Sequence, residues 1–271
     1  MTDQIFPLGK LDMTFLAEML NRYTDADPRV IIGAQIGEDA AVIDFGDRYL
    51  VAKTDPITFA TDQIGWYAVQ VNANDLATMG ATPRWLLITL LLPEDRTTGS
   101  LVEGIFRQVH EACHMLDIAL VGGHTEVTYG LDRPIVVGQL LGEVDKDKLV
   151  STRGAQVGDA IVLAKGIAIE GTAIIARERA DDLRRRGYSQ EWIARAQHML
   201  FDPGISILRE ARLATATGHV HAMHDPTEGG LATGLHELAR AAEVGVLVDE
   251  TAIPVLPECR ELCRTYHLDP L

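Results

Sequence analysis

Residues 62–93 read DQIGWYAVQVNANDLATMGATPRWLLITLLLP, and the reading of this stretch sets the architecture. A helix is expected from Ile64 to Met79, with Asp62 as its N-cap and Gly80 as its stop. Residues 85–92 are nearly all apolar and end at Pro93. A short apolar run bounded by turn residues predicts a strand buried on both faces. A helix feeding directly into such a strand describes a chain that alternates α and β.

The same alternation continues on both sides. Leu11, Phe15, Met19 and Tyr23, with Leu16 and Leu20 beside them, fit one amphipathic helix. Strands are expected at 30–32, 40–44 and 49–53. Downstream, Val102, Ile105, Phe106, Val109, Cys113 and Leu116 repeat at helical spacing, followed by strand-like 118–121 and 135–141. Strand-like 160–164 then leads to a helix from Gly171, a charged helix containing ADDLRRRG, and a third helix entered through Asp202-Pro203-Gly204. Strand-like 220–223, a helix over 229–242 and strand-like 246–249 complete the pattern. The polar stretch 145–158 (DKDKLVSTRGAQVG) divides the chain. The expectation is an α/β (α+β) chain of two domains, 1–150 and 151–271, with the first dimeric through its exposed strands.

Composition narrows the function. The chain has 271 residues, 47% hydrophobic and 23% charged, which are ordinary globular values and exclude disordered and collagen-like classes. A net charge of −15 repels nucleic acid and anionic membrane, so neither is expected as a partner. An anionic substrate would need divalent cations to bring it in. The longest apolar run is far shorter than the ~20 residues that span a bilayer. The start MTDQIFPLGKLD lacks a basic segment followed by an apolar run, so no secretory signal is expected and the protein is read as cytoplasmic. Cys113, Cys259 and Cys263 are too few for a disulfide framework or a four-ligand zinc site. Cys259 and Cys263, four apart on a helix, are read as packing residues.

No GxxxxGK[ST] and no GxGxxG is present, which removes P-loop and Rossmann readings. What remains is a set of acidic residues in small-residue contexts: Gly37-Glu38-Asp39-Ala40-Ala41, Thr54-Asp55-Pro56, Asn72-Ala73-Asn74-Asp75, Gly122-Gly123-His124-Thr125-Glu126 and His224-Asp225-Pro226-Thr227-Glu228-Gly229-Gly230. Carboxylates beside buried strands are costly unless paired or bound to metal. Asp75 is the sharpest case, because the C-terminal end of a helix disfavours negative charge. A satisfied structural aspartate explains any one of these; several together favour a shared cation, since hard divalent ions need several oxygen ligands. Gly122-Gly123 requires a tight turn or a close approach to a ligand. Gly229-Gly230 opens a helix whose free N–H groups can face an anion. Lys53 ends a strand beside the acidic pair and is the better phosphate-binding lysine; Lys10 could reach a phosphate from the N-terminal segment. His221 and His224 face opposite sides of a strand-like run, which argues against zinc. Arg184, Arg185 and Arg186 read as a solvated helix face.

In that order, IGEDAAVI, KTDPITF, VNANDLATMGATP, LVGGHTEVT and HDPTEGGLATGLHELA resemble the aminoimidazole ribonucleotide synthetase-related (PurM-like) superfamily. The resemblance runs from about Gly9 to Leu271. It implies ATP bound without a P-loop, through Mg²⁺ ions held by aspartates, usually in a homodimer. It also implies an N-terminal domain that lends strands to an intersubunit β-barrel and a C-terminal α/β domain, here short of the last strands the family usually has. Carried over by position, Asp39, Asp55, Asp75 and Asp225 would be Mg²⁺ ligands, with Glu126 a weaker one. Lys53, Thr54, Gly122, Gly123, His124 and Thr125 would line the nucleotide, with Lys53 and Asp225 serving catalysis.

Within the superfamily, HDPTEGGLATGLHELA is similar to the carbamoyl dehydratase of hydrogenase maturation, which works through a C-terminal cysteine that this sequence lacks. Selenophosphate synthetase has Cys or selenocysteine in the N-terminal glycine loop, where PLGKLD has neither. Thiamine-monophosphate kinase has aspartate where this chain has His124. The resemblance therefore implies a dehydratase-like, Mg²⁺-dependent ATP-using enzyme that activates its acceptor by phosphorylation. The kinase-like and synthetase-like chemistries stand as alternatives, as does a non-catalytic nucleotide-binding partner in maturation.

Overall fold

The computed structural model describes residues 5–35 and 37–271. The first half runs α1 (Met13–Tyr23), β1 (Val30–Ile32), β2 (Ala41–Asp44), β3 (Arg48–Ile57), α2 (Ile64–Thr78), β4 (Thr82–Pro93), α3 (Gly99–Leu116), β5 (Ala119–Thr128) and β6 (Ile135–Asp145). The strands form one six-stranded sheet in the order β1-β2-β3-β6-β4-β5. All neighbours are antiparallel except β4 and β5, which α3 joins as a parallel crossover. The fold class is α/β (α+β), as the alternation predicts.

Alternation along β4 and β6 decides which face is covered. Leu86, Ile88, Leu90 and Leu92 are buried, as are Val136, Leu140 and Val144, and all pack in the core that holds α2 and α3. The intervening residues Leu87, Leu91, Val137 and Leu141 are only half-buried, and Trp85 is exposed. The expectation that 85–92 is buried on both faces is therefore corrected: this chain covers one face of the sheet. On the covered side α2 has room to lie close, because β6 carries Gly138. A Cβ there would stand 2.4 Å from the Asn72 side chain.

α2 is buried almost all round, yet it does not start on Asp62. Its N-cap is Gln63 in the left-handed region, and Asp62 instead pairs with Arg177. Gly122 and Gly123 likewise lie inside β5 rather than in a turn. Gly123 sits at φ +145°, where any Cβ would collide with the Ile88 backbone. The close approach that its sequence requires is to the neighbouring strand.

The second half contains α4 (Ile169–Glu178), α5 (Ala180–Arg185), α6 (Gln190–His198), a π-helical turn at Leu200–Gly204, α7 (Leu208–Ala216), α8 (Gly230–Ala242) and α9 (Pro257–Tyr266). Leu183, Ile193, Ala196 and Leu262 form a core of their own. Cys259 is fully buried, and all three cysteines are free, in line with a packing role. The basic run is a solvated face: Arg184 pairs with Asp181, while Arg185 and Arg186 pair with Asp182. The strands expected at 160–164, 220–223 and 246–249 do not form. Among the described residues the backbones of these three stretches pair with no strand, and β structure exists only through pairing.

The halves are joined by polar clamps. Asn74 on α2 donates its amide to the Ile205 carbonyl at 2.8 Å and accepts from the Ile207 N–H at 2.9 Å. Trp66 meets Phe201 edge to face at 5.0 Å.

Candidate functional site

The polar face of α2 meets the end of β3. Register places Lys53 and Asp55 on the covered side of the sheet, alternating with exposed Thr54. Asn72 locks β3 to α2 by accepting the Asp55 N–H at 2.9 Å, while its amide donates to the Ala68 carbonyl. One turn on, Asp75 receives the Lys53 ammonium at 3.0 Å, and Asp55 shares that ammonium at 3.4 Å. Thr78 Oγ1 sits 2.9 Å from Asp39 Oδ2 and 2.7 Å from the Asp75 carbonyl, which pins the 37–40 loop to the same helix end.

The second half closes this cluster. The loop before α8 supplies His224 and Asp225. His224 Nδ1 lies 2.9 Å from Asp39 Oδ1, and its Nε2 lies 3.0 Å from Glu237 on α8. One donor atom each from Asp39, His224 and Asp225 falls within 4.8 Å of the others. Next to it, Ser151 donates to Glu38 at 2.8 Å, and Arg153 stands 3.6 Å from the same carboxylate.

Charge in the cluster is out of balance. Asp39, Asp55, Asp75 and Asp225 face one ammonium, that of Lys53, with His224 at the edge. Asp75 Oδ2 and Asp225 Oδ2 are sealed from solvent and have no hydrogen-bond partner among the described residues. Burial pushes Asp75 up to about 8, against the pull of Lys53 and with Asp55 and Asp39 adding to the rise. Asp225 is raised by burial, then by the charges of Asp75 and Asp39. For Lys53, burial disfavours the charge, but Asp75 and Asp55 outweigh it and hold the amine above its ordinary value. His224 behaves alike: burial opposes its charge, and Asp39 and Glu237 overcome that. Buried carboxylate oxygens lacking partners, beside further carboxylates, suit a hard divalent cation.

The remaining residues singled out in the sequence lie elsewhere. Across the sheet, Asp55 is level with Gly138, then Ile88, then Gly123, three strand spacings or about 14 Å away. Gly122, Gly123, His124, Thr125 and Glu126 therefore stand on exposed β5, apart from the cluster within one chain. Glu126 there contacts His124 at 3.2 Å. Thr54 donates its hydroxyl to the Gly138 carbonyl. Gly229 and Gly230 do open α8, but the Ala232 N–H donates to the Leu271 carbonyl at 2.9 Å, so that helix end is already engaged. Lys10 is exposed and forms no ion pair among the described residues. His224 and Glu237 were not among the expected site residues. The strand on which the H-x-x-H spacing would separate the two histidines does not form; His221 pairs with Asp159, and the spacing gives no hint that His224 points at Asp39.

This arrangement can be set beside known proteins. The AIR synthase related protein N-terminal domain matches residues 37–144, and the corresponding C-terminal domain matches residues 156–267. The chain belongs to the AIR synthase-related family. It is 33% identical to a putative hydrogenase expression/formation protein of Methanocaldococcus jannaschii, over 89% of this chain and 69% of that one. It is 31% identical to the carbamoyl dehydratase HypE of Cupriavidus necator, over 80% of this chain and 58% of the relative. Among solved structures, a hydrogenase maturation protein HypE in complex with ATP superposes with TM-score 0.68 at 26% identity, covering 93% of this chain and 69% of that chain. A HypE–HypF complex gives TM-score 0.69 at 25% identity, covering 86% and 74%. The chain thus spans roughly three-fifths to three-quarters of these family members. Among the described residues no helix is long and apolar enough to cross a membrane.

Proposed function

We propose that this family member is an ATP-using enzyme of PurM-like type, with 1–150 as the nucleotide-binding and dimerising domain and 151–271 as the covering domain. The observation that carries the reading is the carboxylate cluster around Lys53, with the sealed oxygens of Asp75 and Asp225 unpartnered. Asp39, Asp55, Asp75 and Asp225 would hold Mg²⁺, which when bound neutralises phosphate charge and screens these aspartates from one another. Among the described residues Lys53 is the ammonium that stands between them, positioned by Asp75 and Asp55 to meet phosphate oxygens. The chemistry this supports is transfer of a phosphoryl group to an oxygen or similar nucleophile, driven by positioning and charge neutralisation rather than by a covalent enzyme intermediate.

The half-exposed sheet face and the open edge of β5 support a homodimer. Because Gly122, Gly123, His124, Thr125 and Glu126 stand about 14 Å along the sheet from Asp55, we assign them to the nucleotide from across that dimer interface. Likeness to the HypE–HypF complex supports a role in hydrogenase maturation beside a partner protein.

Calorimetric titration with ATP tests the core of this reading. Binding should be strong with Mg²⁺ and largely lost in excess chelator, and phosphate release should then be followed against candidate acceptors. Equal affinity with and without metal would overturn the cation bridge. Metal-dependent binding with no turnover on any acceptor would favour the non-catalytic partner role.

A further inference from the structure

Two carboxylates flank the imidazole of His224. Nε2 lies 3.0 Å from Glu237 Oε2, while Nδ1 lies 2.9 Å from Asp39 Oδ1 and 3.2 Å from Asp39 Oδ2. Flanked in this way, the ring without a cation is held as the imidazolium, with one N–H facing each carboxylate. A cation bound at Nδ1 would displace the proton there and leave the Nε2 N–H on Glu237.

The surroundings favour that outcome. A histidine that binds metal commonly donates its second ring nitrogen to a carboxylate, which fixes tautomer and ring orientation; Glu237 stands in that place. Asp225 adds a sealed oxygen with no partner among the described residues. The three residues offer donor atoms within 4.8 Å of one another. Around a small divalent ion with bonds of about 2.1 Å, adjacent ligands lie about 3.0 Å apart and opposite ones about 4.2 Å. The 2.9 Å between His224 Nδ1 and Asp39 Oδ1 matches an adjacent pair. Asp39 and His224 are largely shielded from solvent, Asp225 is half-buried with its Oδ2 sealed, and α8 holds the imidazole from behind through Glu237.

We propose that His224, through Nδ1, is a direct nitrogen ligand of the cation held by Asp39 and Asp225, so that this position takes a divalent transition ion in preference to Mg²⁺. The inference rests on the reading of the cluster as a cation site and adds the ligand that distinguishes one ion from another. Imidazole raises affinity for first-row transition ions, whereas Mg²⁺ is served by oxygen alone. Glu237 is a positioning residue, acting through the ring it holds. The family's C-terminal unit would then contribute to ion choice as well as to covering the site.

Mn²⁺ alone, without nucleotide, is the probe. Pulsed electron paramagnetic resonance of the Mn²⁺-loaded protein should show coupling to a directly bound ¹⁴N. That coupling should vanish in His224→Gln while Mn²⁺ still binds, and the Mn²⁺-over-Mg²⁺ preference should fall roughly tenfold. Glu237→Gln should keep the coupling but weaken Mn²⁺ affinity. Mn²⁺ bound by the wild-type protein with no ¹⁴N coupling would overturn the inference and leave the oxygen-ligand reading intact. Failure of both Mn²⁺ and Mg²⁺ to bind would overturn both. The wild-type spectrum decides even if a variant does not fold.

Discussion

Lys53 and Asp75 form the central ion pair of the cluster, ammonium to Oδ1 at 3.0 Å, while Asp75 Oδ2 is left buried and bare. The pair unites two roles that the sequence sets against each other. Asp75 has a buried cationic partner, as a structural aspartate would, and it also keeps a free oxygen among other carboxylates, as a metal ligand would.

Asp75→Asn separates those roles. Lys53 retains Asp55 at 3.4 Å, so removing one carboxylate does not strand its charge. Melting temperature without ligand should stay within about 3 °C of wild type, or rise, which is ~1 kcal/mol for a chain of this size. The stabilisation by Mg²⁺-ATP should disappear. A loss of about 3–5 kcal/mol with the ligand shift retained is what an indispensable structural pair would give.

Glu170, in the first turn of α4, makes no hydrogen bond with the described residues, and burial, then Glu228, pushes its carboxyl up from 4.5 to about 6. The folded state therefore binds this proton more tightly than the unfolded state does. Its carboxylate costs stability in full above about pH 6, and the cost is gone below 4.5. Glu170→Gln should raise stability at pH 7.5 by about 2 kcal/mol, and the gain should fade as pH falls through that window. Denaturant melts of both proteins at pH 7.5 and 4.5 check this; a gain equal at both pH values would refute it.

Dimerisation through the sheet predicts a mass by light scattering of twice 29.6 kDa at micromolar concentration. Val121 on β5 is 54% exposed, and Val121→Lys should shift the population toward monomer. A monomeric wild-type protein would count against the dimer and against any role for Glu126 at the nucleotide.

By itself the sequence determined the elements whose periodicity is local: α1, α2, α3, α8 and the strands of the first half, each set by apolar spacing and by stops such as Gly80. It also singled out Asp39, Asp55, Asp75 and Asp225, because an acidic residue against apolar, small-residue backbone is conspicuous in one dimension. Tertiary structure decided whatever depends on a partner distant in the chain. Residues 160–164, 220–223 and 246–249 have strand-like composition but find no neighbouring strand, and residues 85–92 are covered on one face because α2 and α3 lie on the same side. Gly123 is needed for its approach to Ile88 rather than for a turn. The pairing of His224 with Asp39, 185 positions apart, depends on how α8 docks against the first half. Helical spacing is written in neighbours three and four residues away, whereas a site assembled from separate loops is written only in their packing.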